Sequence, residues 1–312
     1  MKNIKLFLMM AVLALTTACT SDNLSSESIF DTKAPQRSEF DEWLKKNYTD
    51  PYNIRFNYLY VDQNSDLSYN VTPASITNSI ALAKIVKHVW LDAYTELMGP
   101  DFLKQHCFRE FQLIGSAQYT SQGSVVLGFA EGGIRVNLFQ INHLDINDIF
   151  IERKYPFRDK PKRPLKLDLN RAYFHTMHHE FAHILTQLKD YSTDFRTVSA
   201  GKFHSNDWIN VNDTVSGRDG FVTGYASSEY NEDFAEVFSC YVTDTDEMWN
   251  TRLEQAIDPE TGSRDGVNAI LTKLDMIRSY LMNSWGVDID KLREIVLRRS
   301  GEVEKLDLKT LN

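Results

Sequence analysis

The stretch Tyr173–Gln187, YFHTMHHEFAHILTQ, gathers four histidines around one glutamate. It sits in a segment whose pattern predicts a helix from about Asn170 to Lys189. Helical positions four apart lie about 40° apart around the axis, so His179 and His183 share a face. Two neutral imidazoles one turn apart can grip a single zinc ion. Glu180 follows the first of them directly and can reach water held there. His179, Glu180 and His183 thus spell H-E-x-x-H, the zinc-hydrolase arrangement with the glutamate as base. His175 and His179 form a competing pair. Three histidines over two turns span roughly 12 Å of axis, too far for one ion with bonds of ~2 Å. Glu180 lies between His179 and His183, which favours that pair. His178, about 100° off the metal face, packs or hydrogen-bonds instead. The flanking Thr176, Met177, Phe181, Ala182, Ile184 and Leu185 carry no charge to disturb an ion's field. The competing reading is a helix that is merely rich in histidine.

A catalytic zinc takes three protein ligands and leaves one position open. Lys189 stands six residues after His183, where the metzincin pattern needs histidine, so that class is excluded. Asp190, Asp194 and His204 are candidates for the third ligand. NEDFAE, Asn231 to Glu236, offers a better one. Glu232 and Glu236 are four apart on an expected helix whose Phe234, Val237, Phe238 and Tyr241 can face a core. Two carboxylates on one face repel unless a cation or an imidazole neutralises them. Glu232 on the metal, with Glu236 hydrogen-bonded to a ligating imidazole, satisfies both. A solvated acidic stripe with Glu229 and Asp233 is the plainer alternative.

The net charge of −9 leaves no basic footprint for nucleic acid. The 42% hydrophobic and 25% charged composition is that of a soluble globular chain. Its first residues read as a targeting segment. Lys2 and Lys5 precede an apolar run, Leu6 to Leu15, and Thr16, Thr17 and Ala18 lead to Cys19. This resembles a bacterial lipoprotein signal over residues 1–18, with Cys19 as the lipid attachment point; a plain secretory signal cut near Ala18 is the alternative. Either way the mature protein leaves the cytoplasm. Residues 19–37 are polar and read as a flexible tether, which assigns 38–312 to the folded domain. Cys107 and Cys240 could pair after export or remain buried thiols.

Along that domain the pattern predicts a short helix over Ser38–Tyr48, a strand over Ile54–Val61, and a helix from Thr72 or Ser75 stopped by Gly99-Pro100. Arg109–Ser116 and Ser124–Asn142 are β-rich, and Gly132-Gly133 breaks the second into a hairpin or bulge. That second stretch could also present an edge strand to an extended substrate backbone. Lys160–Lys166 and Ser192–Val222 read as loops, the latter a long surface excursion. A helix starts near Ser227, and the remainder is helical with a break at Trp285-Gly286. Strands first and helices later indicate an α+β fold.

HEFAH followed 49 residues after His183 by Glu232 of NEDFAE resembles the gluzincin metallopeptidases. GYASSEYNEDFAEVF is also similar to the active-site helix of anthrax lethal factor, including a tyrosine, here Tyr225, seven residues before the third ligand. With the lipoprotein start, the chain resembles the zinc metallohydrolase lipoproteins of Bacteroidetes that are associated with substrate import. The motif resemblance covers about Thr176 to Tyr241. It implies a zincin-like fold, with a small mixed or antiparallel sheet lobe, a helical C-terminal lobe and a cleft between them. It implies Zn²⁺ on His179, His183 and Glu232, Glu180 as base, Tyr225 at the oxyanion and Glu236 supporting a ligand. Many gluzincins have Asp where Glu236 stands. The implied partners are a peptide or protein substrate, the outer membrane through the lipid, and an outer-membrane import system at the cell surface. Two rival readings are a surface lipoprotein that binds glycan or another substrate without catalysis, and an inactive metal-binding structural module.

Overall fold

Two layers of helix hold the histidine segment in place, and each follows from where the sequence puts its large apolar residues. The computed structural model describes residues 36–61, 70–119, 125, 126, 128–131, 133–154 and 166–312. The signal sequence, Cys19, most of the tether and nearly all of the Lys160–Lys166 loop lie outside the described residues. Ser38–Asn312 forms one compact unit. Among the described residues no helix is long and apolar enough to cross a membrane.

After a short helix α1 (Glu39–Leu44), the chain forms β1 (Arg55–Asn57). This strand is shorter than the expected Ile54–Val61, because only three of its residues find partners on β2 (Glu110–Leu113). Ser75 caps the next helix through its side chain. The helix runs as α2 (Ile76–Val86), a π-helical turn (Lys87–Leu91) and α3 (Asp92–Met98). It ends at Gly99, whose φ of +81° suits a residue without a Cβ. Trp90 and Tyr94 on this helix are fully buried.

The main sheet has four strands in the order β1-β2-β6-β5, in which β6 is Arg135–Leu138 and β5 is Gly128–Glu131. Its β1–β2 and β2–β6 pairs are parallel, and β5 joins β6 antiparallel through the expected hairpin. A small second sheet pairs β3 (Gln118–Tyr119) with β4 (Val125–Val126). The main sheet is therefore mixed, and among the described residues β5 is one of its two edge strands, β1 being the other.

The histidine segment opens as a π-helical turn (Asn170–His175) and continues as α4 (Thr176–Leu188). Phe181 on α4 meets Trp90 and Tyr94 at ring-centroid distances of 5.5 and 5.2 Å. The opposite side of α4 packs against α5 (Tyr230–Thr243), and α4 also runs beside β5. Tyr280, at the end of α6 (Asp265–Tyr280), closes the C-terminus of α4. Its hydroxyl lies 2.9 Å from the Leu185 carbonyl and 2.6 Å from that of Lys189, and it accepts the Trp285 indole N–H at 3.0 Å. The expected break at Trp285-Gly286 is a π-helical turn ending at Gly286, and α7 (Ile289–Ser300) then packs against both α5 and α3. Cys107 and Cys240 are both buried and free, so they do not pair.

Ser192–Val222 departs from the expected surface excursion. It holds short helical pieces at Phe195–Val198, Ser205–Asn210 and Asp213–Arg218. Phe195, Phe221 and Val222 in this segment are buried. The cause is a few aromatic residues scattered through a polar stretch: Phe195 packs against Phe234 of α5, at 5.3 Å between centroids. Lys273 of α6 is wholly buried. Its ammonium donates to the Gly220 carbonyl at 2.7 Å and lies 2.6 Å from Asp233 Oδ2. Burial pushes the Asp233 carboxyl up to about 7 and the Lys273 ammonium down, and the contact between them opposes both shifts. Gly220 has φ of +95°, and a Cβ there would meet Ala269 Cβ at 2.6 Å, so only glycine allows this approach. Removing one partner of a buried ion pair leaves the other charge without compensation. Lys273→Met is therefore expected to lower stability by ~3–5 kcal/mol in chemical unfolding of the metal-free protein. A loss below ~1 kcal/mol would show that the pair does not pin α5 to α6.

Candidate metal centre

Packing α4 on α5 brings three donor atoms into a small triangle. His179 Nε2 lies 2.9 Å from Glu232 Oε2 and 3.1 Å from His183 Nε2, and His183 Nε2 lies 3.3 Å from Glu232 Oε2. Tetrahedral zinc with bonds of ~2.0–2.2 Å sets neighbouring ligand atoms ~3.3 Å apart, so the triangle has the size such an ion requires. Its chemistry fits as well. Two ring nitrogens facing each other and one carboxylate oxygen leave lone pairs converging on one point, which a cation satisfies better than protons do. Glu232 shows the same pull. Burial would raise its carboxyl, but the His179 and His183 rings outweigh burial and hold it well below the ordinary carboxylate range.

Glu236 fixes the orientation of this triangle. One turn after Glu232, its Oε1 accepts from His179 Nδ1 at 2.9 Å, which leaves His179 Nε2 to face the other two donors. The same oxygen accepts from His175 Nε2 at 2.8 Å, and Oε2 accepts from the Thr223 hydroxyl at 2.6 Å. Burial alone would raise Glu236; the two imidazoles outweigh it and keep the carboxyl well below its usual range. Thr223 is held in turn by the backbone, because buried Arg252 bonds both Asp244 Oδ2 at 2.5 Å and the Val222 carbonyl at 3.0 Å.

His175, a rival of His183 by spacing alone, thus serves the carboxylate that supports His179. Thr223 and His175 are the two members of the centre that the sequence reading did not assign. The only signal for His175 was its place four residues before His179, and nothing local marked Thr223. Cys240 Sγ lies 3.9 Å from His175 Nδ1, and His175, Glu236 and Cys240 form a second close donor group. Burial pushes that thiol well up and keeps it protonated, and Glu236 Oε1 is already shared by two imidazoles, so this group is a hydrogen-bond network.

The other candidates fall outside the triangle. His178 is buried on the far face of α4, with Nδ1 3.0 Å from the Tyr94 hydroxyl. His204 pairs with Asp219 at 3.2 Å. Asp194 precedes the short helix Phe195–Val198. Asp190 lines the cleft but does not join the donors. Glu180 does face this cleft, a cavity of about 450 Å³ shared with His183, Glu232 and Gly133 of the β5–β6 turn. Tyr225 occupies a 3₁₀ turn (Tyr225–Ser227) just before α5. Its ring lies 5.8 Å from the His179 ring at 29° and 4.9 Å from the Trp208 ring. Burial, then the Glu232 carboxylate that its hydroxyl bonds, push its pKa far up, so it stays a hydrogen-bond donor.

Two measurements check this centre. Inductively coupled plasma analysis should find about one zinc per chain in wild type and almost none in His183→Ala or Glu232→Ala, while Glu236→Gln weakens affinity by roughly 10- to 100-fold. Zinc affinity should also rise with pH. Burial lowers the His179 pKa, but Glu232 and Glu236 outweigh it and raise the ring to about 10, so below that pH metal entry must expel its proton. Titration calorimetry in buffers of different ionisation heat should show about one proton released and affinity climbing about tenfold per pH unit between 7 and 9. A flat profile would contradict the assignment.

A family profile described as "Putative zinc-binding metallo-peptidase" matches residues 33–290. Among solved structures, the chain is similar to a crystal structure described as "a putative zinc-binding metallo-peptidase" from Bacteroides caccae. The two share 40% sequence identity with a TM-score of 0.71, over 91% of this chain and all of that one. No curated protein matches. The two helices that carry the donor triangle both lie inside the matched span, and the chain belongs to this zinc-binding metallopeptidase family.

Proposed function

We propose that the protein is a zinc-dependent peptidase that acts outside the cytoplasm, on peptides or proteins that enter the cleft beside α4. The observation that carries this reading is the donor triangle of His179, His183 and Glu232, in which His183 and Glu232 line the same cleft as Glu180. A structural metal site is closed by protein ligands, whereas three donors at the wall of a cleft suit a catalytic ion. Zinc in such a site supplies Lewis acidity, polarising a scissile carbonyl and making water acidic near neutral pH.

The chain's own residues handle the protons. Glu180 takes a proton from the attacking water and delivers it to the departing amine. Tyr225, protonated and beside His179, donates a hydrogen bond to the oxyanion that develops on the carbonyl. Glu236 holds the Nδ1 proton of His179, so that ring keeps one orientation through the cycle. The edge strand β5 lies next to α4 and, among the described residues, has one side unpaired in the main sheet, which suits an extended substrate backbone.

Location rests on the first residues. Lys2, Lys5, the Leu6–Leu15 run and Cys19 support cleavage after residue 18, a lipid on Cys19 and a tether over 19–37 that holds the domain at the outer membrane. A surface lipoprotein of this kind could work beside a substrate-import system.

Purified Glu180→Gln should retain its zinc and lose peptide turnover by roughly 10²–10⁴-fold. Tyr225→Phe should lose roughly 10²-fold, mostly in kcat. Full turnover in Glu180→Gln, measured on a mass-spectrometric peptide library, would remove Glu180 from the role of base, and no turnover by wild type would leave only a structural metal site.

A further inference from the structure

The cleft that Glu180, His183 and Glu232 share also contains Arg196, beside Asp190, Tyr191 and Glu229. Arg196 is exposed and stands on the short helix Phe195–Val198. The central carbon of its guanidinium lies 3.9 Å from the Tyr230 ring centroid and 5.9 Å from that of Tyr191. Both rings belong to the framework of the metal centre. Tyr230 opens α5 two residues before Glu232. The Tyr191 hydroxyl donates to Asn231 Oδ1 at 3.0 Å, and its ring stacks on Phe234 at 4.5 Å.

An arginine lying on an aromatic ring is held by the face of its guanidinium, which leaves the N–H edge for other partners; here part of that edge meets the Tyr191 hydroxyl and the rest faces the cleft. Asp190 and Glu229 line the same cleft, yet among the described residues no carboxylate forms an ion pair with Arg196. We infer that Arg196 is the specificity-determining residue of this cleft and binds a carboxylate of the peptide substrate.

The planar fork of a guanidinium matches both oxygens of a carboxylate, whereas a neutral amide offers one acceptor and no charge. Asp190 and Glu229 sharpen the selection. They repel an anion anywhere in the cleft except where Arg196 meets it directly, so the preference is for one carboxylate at one position and not for acidic substrates in general. That carboxylate can come from an Asp or Glu side chain or from a free C-terminus. Because the guanidinium is exposed, water screens the contact and the expected discrimination is modest, about tenfold.

The inference rests on the peptidase reading, and the experiment separates the two. Cleavage of a peptide library by the zinc-loaded protein is mapped by mass spectrometry. Matched substrates are then compared that differ only by Glu→Gln near the cut or by amidation of the C-terminus. One of the two changes should lower kcat/KM about tenfold, mainly through KM, and which one does so identifies the source of the carboxylate. Arg196→Gln should bring the ratio close to one, and Arg196→Lys should leave it intermediate. Ratios near one in wild type, or a ratio undiminished in Arg196→Gln, overturn the inference. Should wild type cut no peptide at all, the peptidase reading fails. Calorimetric binding of Glu- and Gln-containing peptides, with free and amidated ends, to zinc-loaded Glu180→Gln then decides the role of Arg196. Tighter binding of the carboxylate form that vanishes with Arg196→Gln upholds it, and equal affinities overturn it.

Discussion

The contact between α4 and α5 sets everything else in the domain. Each helix carries a pair of polar residues four apart on its buried face: His179 and His183 on one, Glu232 and Glu236 on the other. Neither pair is stable there alone. The carboxylates would repel each other, and the imidazoles would bury unsatisfied nitrogens. Packed together, the two pairs answer each other, with Glu236 taking the His179 Nδ1 proton and Glu232 meeting the two Nε2 atoms. The surrounding elements keep the helices in that register. Trp90 and Tyr94 support α4 from behind, and α6 and α7 support α5.

The electrostatics of the centre follow from the same packing. Glu180, Glu232 and Glu236 surround two imidazoles, and His179, Glu180 and Glu236 are buried. In such a place every carboxylate draws protons or a cation toward the histidines. The raised proton affinity of His179 and the lowered ones of Glu232 and Glu236 are two sides of one attraction, and a divalent ion at the triangle answers both. The buried Asp233–Lys273 pair sits one residue from Glu232 and keeps a further negative charge from acting on the centre uncompensated.

Much of this could be read from spacing alone. Residues four apart on a helix must share a face, so the pairing of His179 with His183 and of Glu232 with Glu236 was already implied by their numbers. Gly99-Pro100, Gly133 and Trp285-Gly286 marked real ends and turns, because glycine and proline act on the backbone locally. What spacing could not reveal was which distant groups meet. His175 has the same offset from His179 as His183 does, and only the location of Glu236 decides that it supports a carboxylate instead of facing the triangle. Thr223 directly follows a segment that is polar in composition, and its place depends on Arg252 reaching across from another helix. Phe195 and Phe221 anchor the neighbouring Ser192–Val222 segment to the core at its two ends, a long-range effect with no local signature.

The closure of α4 by Tyr280 has a further consequence. Helices open most easily from their ends, where the last carbonyls lack partners. Here the Leu185 and Lys189 carbonyls, in the last turn and at the cap, are met by a hydroxyl that belongs to α6 and is itself steadied by Trp285. Fraying of that last turn therefore requires α6 to undock. Local breathing beside the donors is tied to a much larger opening, which makes this corner of the domain slow to exchange its amides and rigid on the timescale of a single encounter with substrate.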